Sequence, residues 1–327
     1  MDRYPITARS LDIHYHVNGD KFNRQYKEHL SGYRFWEAKS HATEYLVFPE
    51  NIGPRLSMDE TSLSMGDLYT IIENKDAHGR SGTIVAMVRG TKSEDVVKVL
   101  ERIPLAERKK VVEVTVDLAD NMAKTVRRSF PDARLTIDRF HVQKLALEAV
   151  QNVRIKYRWE AIEKDNALRK EAKERGEKYV PRTYENGDTE KELLARCRYA
   201  LFKSKDKWSE SQEKRIKIVF RNYPEIEQAY NLAHHLRTIF NKRSKKDAAR
   251  LNLARWYDEV EKAGISHFRI LANTIEQRYD EVLNYFIDFS TNANAEAFNA
   301  KIKSFRASMR GVADLDFFLF RLSNIYA

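Results

Sequence analysis

The sequence predicts an α/β fold: a mixed sheet with helices on its faces, interrupted by a long all-helical segment. Three observations predict it. Three β-rich runs follow one another between residues 55 and 88, separated by polar turns. Helical and strand patterns then alternate from residue 93 to 137, and from 141 to about 287 no strand pattern is visible. A meander followed by alternation argues a mixed sheet, because strands that return through helices pair in parallel while tight turns leave antiparallel neighbours.

In chain order, KFNRQYKEHL and YRFWEAKSHA read as short helices in a small lead-in over residues 1–52, and EYLVFPE reads as a strand closed by proline. The two helical pieces carry no basic recognition face, so they do not form a helix-turn-helix. RLSMDE, residues 55–60, is a strand ending in acids, and LYTII, residues 68–72, is the second strand. The stretch 74–82 is rich in Asn, Asp, His, Gly, Arg and Ser, as a turn requires, and TIVAMV at 83–88 is the third strand. A helix over 93–103 follows, with Val96, Val97, Val99 and Leu100 as its apolar positions. Then come a strand over 111–116, a helix over 121–130 and a strand over 133–137. The order is βββαβαβ. The core's first part is thus 53–144, the helical segment 145–287, with a surface loop at 175–190, and the closing helices 288–327.

Composition bounds the function. The 327 residues carry 58 basic and 48 acidic side chains, a formal charge of +10, which attracts polyanions such as DNA. No apolar run approaches the roughly 18 residues that span a bilayer, and MDRYPITARS lacks the apolar core of a secretory signal, so a cytoplasmic protein is expected. The single cysteine, Cys197, excludes an internal disulfide and a multi-cysteine zinc site. In LLARCRYALF it reads as a small buried hydrophobe.

Three acids share a context: Asp59 ends the first strand, Asp117 ends VVEVTV, and Glu296 lies in the last helical pattern. Ligands of open sheets collect at the carboxyl ends of strands. Converging carboxylates repel one another unless a hard cation such as magnesium or manganese neutralises them. Two such ions, about 4 Å apart, can act on both sides of a phosphodiester. Taken singly, each Asp more often forms a turn or caps a helix, and only convergence would distinguish the two roles. In the last helix Phe298, Ile302, Phe305 and Met309 form an apolar stripe, while Glu296, Asn299, Lys303, Arg306 and Arg310 recur on another face. That second face is either a solvated basic surface or an acid followed by a row of phosphate-binding cations. Asp138 and His141 stand three apart where strand gives way to helix, as a structural pair or a catalytic one.

The combination Asp59…Asp117…Asp138-Arg139-Phe140-His141…Glu296 resembles the DDE transposases of bacterial insertion sequences. It is similar above all to the subgroup whose signature is D-R-F-H-V and whose last motif is like TNANAEAFNAKIK, residues 291–303, with Arg306 and Gly311 following. The resemblance covers about residues 50–327. It implies a ribonuclease-H-like catalytic core with an all-helical insertion before the last acid. It also implies Asp59, Asp117 and Glu296 as the catalytic, metal-binding triad for two Mg²⁺ or Mn²⁺ ions. Asp138 and His141 become supporting residues, and Lys303, Arg306 and Arg310 contacts to DNA. The implied activity is cleavage at the element's ends and strand transfer into target DNA by a nucleoid-associated homo-oligomer. Alternatives are a ribonuclease-H-fold nuclease without strand transfer and a non-catalytic DNA-binding protein. An aromatic of the insertion, Trp159, Trp208 or Trp256, could stack on a flipped base. The zinc-binding or helix-turn-helix segment of larger members is not visible, so either a separately encoded end-recognition protein is a partner or the small lead-in and the insertion read the DNA.

Overall fold

A computed structural model of the chain describes residues 1–64 and 66–327, without the side chains of Ile13 and Ser64. The chain divides into two compact units, residues 1–138 with 290–327, and residues 139–289. The sequence pattern puts the corresponding boundaries at 144 and 287.

The first unit opens with helices α1 (Ala8–Tyr15) and α2 (Gly19–Gln25), then β1 (Tyr45–Val47), β2 (Arg55–Ser64), β3 (Asp67–Asn74) and β4 (Ile84–Arg89). Helices α3 (Ser93–Leu100) and α4 (Leu105–Arg108) precede β5 (Glu113–Val116), and α5 (Asp120–Ser129) precedes β6 (Arg134–Ile137). The strands form one six-stranded sheet in the order β1-β4-β3-β2-β5-β6. Strands β2, β3 and β4 are the predicted antiparallel meander, while β5 and β6 add in parallel beyond β2. The lead-in reaches into the sheet, because β1 pairs antiparallel with β4, Tyr45 opposite Val88.

Parallel register sorts the side chains of β2, β5 and β6 into two faces. Leu56, Val114 and Leu135 share one row; Ser57, Thr115 and Thr136 share the row on the other face. Helices α3 and α5 bury Val96, Val97, Met122, Ala123 and Val126, packing on β4 and on β5 and β6 respectively.

The second unit is wholly helical among the described residues: α6 (Arg139–Glu174), α7 (Glu190–Arg196), α8 (Glu210–Asn222), α9 (Pro224–Asn241), α10 (Lys246–Ala263), α11 (Ser266–Gln277) and α12 (Tyr279–Asp288). The long α6 packs against α7, α9 and α11. Trp256 and Phe268 are fully buried, and Cys197 is the buried hydrophobe the sequence predicts, its thiol pushed up to about 12 by burial. The chain then returns to the first unit through α13 (Ala293–Ser308) and α14 (Leu315–Tyr326). The predicted stripe of α13 is the one buried: Phe298, Ile302 and Phe305, each 1% exposed, join Ile71, Met87, Phe318 and Leu322 in one core over the meander.

Candidate active site

Asp59 lies in β2, two residues beyond Ser57, whose parallel partner in β5 is Thr115. Carried two residues further, the same register sets Asp59 abreast of Asp117 and on the same face. The β5–β6 ladder also runs one residue past its last pair, since the Asp138 amide donates to Val116 O at 2.8 Å. Asp117 and Asp138 therefore follow Val116 and Ile137 in step. Asp117 and Asp138 follow the ends of β5 and β6, but Asp59 does not end β2 as the sequence pattern suggests, because the ladder with β3 carries the strand on to Ser64. The environments of the three acids differ as well. Asp59 and Asp117 are half-buried, and Asp138 is fully buried.

Each half-buried acid is held by one local bond. Asp59 Oδ1 accepts from the Glu60 amide at 2.8 Å, and Asp117 Oδ1 accepts from the Ala119 amide at 2.9 Å. The second bond is a turn around the Asp, not a cap on α5, whose N-cap position is Ala119. Both acids act on Glu60. Burial raises the Glu60 carboxyl above its ordinary value, the fields of Asp117 and Asp59 raise it further, and the hydrogen bond from Asn121 opposes them.

Helix α13 is fastened along β2 by the face that carries Glu296. Asn299 Nδ2 donates to Asp59 Oδ2 at 2.7 Å, Asn292 Nδ2 reaches Met58 O at 3.5 Å, and Arg306 Nη1 donates to Ser62 O at 3.3 Å. Positions 292, 296, 299, 303 and 306 are spaced four, three, four and three, so they line one side of a helix. Glu296, one turn before Asn299, is exposed in the first turn of α13, where the helix dipole favours an acid. Lys303 is exposed on the same helix, while Arg306 is half-buried and spent in part on β2's backbone. Arg310 lies past the end of α13, with a left-handed φ of 59°.

Two further groups surround the acids. Glu73, paired in register with Ser57 and 1% exposed, is held well above the ordinary carboxyl range by burial and then by the field of Asp59. Lys75 Nζ donates to Thr115 Oγ1 at 2.9 Å and to Ser290 Oγ, and burial lowers its proton affinity. Sequence reasoning gives none of Glu73, Lys75 and Asn292 a role, and it places Asn299 beside Glu296 without a partner. The available signal is the i, i+3 spacing of Glu296 and Asn299.

Among the described residues, no three His, Cys, Asp or Glu side chains are gathered closely enough to hold a metal ion. The donors nonetheless suit a hard divalent cation. Beside the carboxylate of Asp59, the side-chain oxygens of Asn299 and Asn292 are buried and find no hydrogen-bond partner among the described residues. Carboxylate and amide oxygens are the ligands magnesium takes.

A transposase family model matches residues 56–322. The chain belongs to the DDE transposases of insertion sequences. Its mixed six-stranded sheet with flanking helices is the ribonuclease-H-like α/β fold of that family. Two relatives are each named transposase for insertion sequence element IS1557, from Mycobacterium tuberculosis strains CDC 1551 / Oshkosh and ATCC 25618 / H37Rv. Each is 26% identical over 252 residues, which is 76% of this chain and 54% of the relative. The chain thus spans about half the length of the curated relatives it matches. No solved structure matches it.

His141 lies in the first turn of α6, in the second unit, whereas Asp138 ends the first. Of the three tryptophans in the helical segment, Trp256 is closed to a base, since it is fully buried and its indole donates to Leu232 O at 3.0 Å. Trp208 is half-buried against Phe220 and Tyr230, and Trp159 is 59% exposed. No described helix is long and apolar enough to cross a membrane.

Proposed function

We propose that this chain is the catalytic part of a DNA transposase, cutting double-stranded DNA at the ends of an insertion sequence and joining the freed 3′-hydroxyl to target DNA. Asp59, Asp117 and Glu296 are its metal-holding acids. One observation carries the reading: Asn292 and Asn299, the neighbours of Glu296 on its helix face, bond β2 at Met58 and Asp59, just beyond the last β2–β5 pair, Ser57 with Thr115. A helix whose acid served only solubility needs no such fastening to a second acid.

In this reading the two Asp carboxylates and Glu296, with the amide oxygen of Asn299, hold one or two magnesium or manganese ions. Bound there, such ions supply Lewis acidity on both sides of a phosphodiester. The protein's own part is positioning. Asn299 orients the Asp59 carboxylate, and the Ala119 amide holds one oxygen of Asp117 and leaves the other open. Phosphoryl transfer asks for little else, since positioning and charge stabilisation provide most of the catalysis. Asp138 and His141 brace the site. Lys303 and Arg310, exposed on and just past the helix that carries Glu296, meet the DNA backbone, with Arg306 tied to β2 between them. Synapsis of two ends by a homo-oligomer, help from a separate end-recognition protein and action at the nucleoid belong to the same reading.

The test is a cleavage assay on duplex carrying the element's ends. Asp59→Ala, Asp117→Ala and Glu296→Ala are each expected to abolish Mg²⁺-dependent cleavage with DNA binding retained, and a pre-cut end separates joining from cutting. Full cleavage by Asp117→Ala, together with its abolition in Asp138→Ala, refutes the assignment of the second acid.

A further inference from the structure

We infer that the helical unit carries a phosphate-binding pocket, formed by Lys203, Lys207 and Arg237 around His234, that grips the backbone of duplex DNA. The inference rests on the reading of the chain as a DNA transposase, and it concerns a surface of the second unit that the acid site does not use.

The pocket has a volume of about 500 Å³ and lies between the turns after α7 and the second half of α9, with Ser204, Thr238 and Asn241 also on its wall. No Asp or Glu is among its lining residues. Asp206, whose field reaches His234 and Lys207, is itself engaged by the Ser204 side chain and carries one negative charge against three positive.

Several other cations of the unit are paired with acids. On α8, Lys214 meets Glu210 and Lys217 meets Glu213; Arg221 meets Glu185, and on α6 Lys156 meets Glu225. By contrast, among the described residues the Lys203 side chain bonds the neutral amide oxygen of Gln212 at 3.3 Å and the Arg237 side chain the carbonyl of Phe202 at 3.3 Å, and neither makes a salt bridge. Lys207 is exposed and makes no salt bridge among the described residues. Three like charges around one hollow repel each other, which is costly unless an anion is meant to occupy it. Just past Asn241, the connection to α10 adds Lys242, Arg243 and Lys245, all exposed, so the positive surface continues along the chain.

His234 gives the hollow an uncharged floor. Its ring lies 4.0 Å from that of Tyr230, and burial, followed by the field of Arg237, pushes it down to about 4. Its buried Nε2 has no hydrogen-bond partner among the described residues. Lys203 and Lys207 stand on the exposed lip and Arg237 deeper, an arrangement that suits the edge of a phosphodiester chain better than a small anion held inside. Contacts of this kind fix register and carry no sequence information.

The experiment measures affinity of the full chain for a mixed-sequence duplex as a function of salt, by fluorescence anisotropy. Lys203→Gln/Lys207→Gln/Arg237→Gln is expected to flatten the slope of log affinity against log salt by about 0.9 for each phosphate no longer neutralised, roughly three in all. The weakening is expected to be equal across duplex sequences. Because Arg237 is half-buried, the exposed pair Lys203→Glu/Lys207→Glu provides a variant that leaves α9 untouched, and a flattening of roughly two is expected. The control Lys214→Gln/Lys217→Gln removes two paired cations from α8 and is expected to keep the wild-type slope. A wild-type slope in both pocket variants, or an equal change in the control, overturns the pocket. Inorganic phosphate that binds the wild-type chain and is lost in the pocket variants, while their duplex slope stays wild-type, assigns the pocket to a free anion and overturns it likewise. Absence of any duplex binding by the wild-type chain instead sinks the transposase reading on which the pocket rests.

Discussion

The contact between Asn299 and Asp59 offers a direct test of whether the acids around Asp59 are built for a cation. Asn299→Ala removes the donor at 2.7 Å from Asp59 Oδ2 and leaves that oxygen without it. Removing a hydrogen bond to a charged group costs about 1.5–3 kcal/mol, and the half-exposure of Asp59 favours the lower end. Asn299→Asp keeps the size but replaces the donor with a second carboxylate. Two full charges 2.7 Å apart at an effective dielectric of about 20 repel by about 6 kcal/mol, a ceiling that solvent and proton sharing lower. Without metal, Asn299→Asp is therefore expected to be less stable than Asn299→Ala by about 1–3 kcal/mol.

Added Mg²⁺ should reverse that order. A cation bound only by the folded state contributes about 2.7 kcal/mol at a hundredfold excess over its dissociation constant, and an added carboxylate tightens the binding. Urea melts of wild type and both variants, with and without Mg²⁺, give the comparison. The expected outcome is a large metal-dependent gain for Asn299→Asp, a smaller gain for wild type and the least for Asn299→Ala. If the two variants remain equally unstable whether or not Mg²⁺ is present, Asp59 does not face a cation site and the metal-holding acids lose their support.

Glu73→Gln tests the buried acid next to Asp59. The folded state holds this proton well above the ordinary value of 4.5. Wild type should therefore lose about 1.4 kcal/mol per pH unit as pH rises between the unfolded and folded values, a slope that Glu73→Gln lacks; parallel stability curves refute it. In the helical unit, Asp188 is 2% exposed and accepts from Arg215 at 2.8 Å and from Arg196. Burial pushes its carboxyl up, but these bonds hold it below the ordinary range, so its contribution is present above that range and is lost as pH falls. Asp188→Ala is expected to cost about 3 kcal/mol at neutral pH in urea melts. Trp256→Ala should cost about 3–5 kcal/mol by emptying the core, whereas Trp159→Ala should stay within about 0.5 kcal/mol. Duplex binding by Trp159→Ala then reports whether that indole stacks on a base, since such a contact is worth about 1–3 kcal/mol.

What the sequence disclosed follows the range of each interaction. The meander, the alternation of β5 and β6 with their helices and the apolar stripe of α13 are local patterns, and all appear as predicted. The pairing of β1 with β4 joins residues about forty apart, and three residues of β-rich sequence do not show which edge they will choose. The same holds within the site. Periodicity identifies the face shared by Glu296, Asn299 and Arg306, but not that Asn299 meets an acid 240 positions earlier or that Arg306 faces the Ser62 carbonyl. Asp117 reads in the sequence as a plausible cap for α5. It bonds the Ala119 amide instead, because the chain turns before the helix begins.

The row of acids across β2, β5 and β6 also bears on why two of them, and not all three, suit a metal. An ion that must exchange water and meet phosphate needs oxygens that solvent reaches. Asp59 and Asp117 meet that condition, each half-buried with one oxygen tied to a nearby amide. Asp138 does not: it is 0% exposed at the point where β6 hands over to α6. A carboxylate so enclosed serves better to orient neighbouring groups than to bind an exchanging ion. The most recognisable stretch of the sequence, LTIDRFHVQK, is therefore distinguished by its burial as well as its motif. In the proposed reading, the less conspicuous Asp117, one strand over, has the exposure that chemistry on a DNA backbone requires.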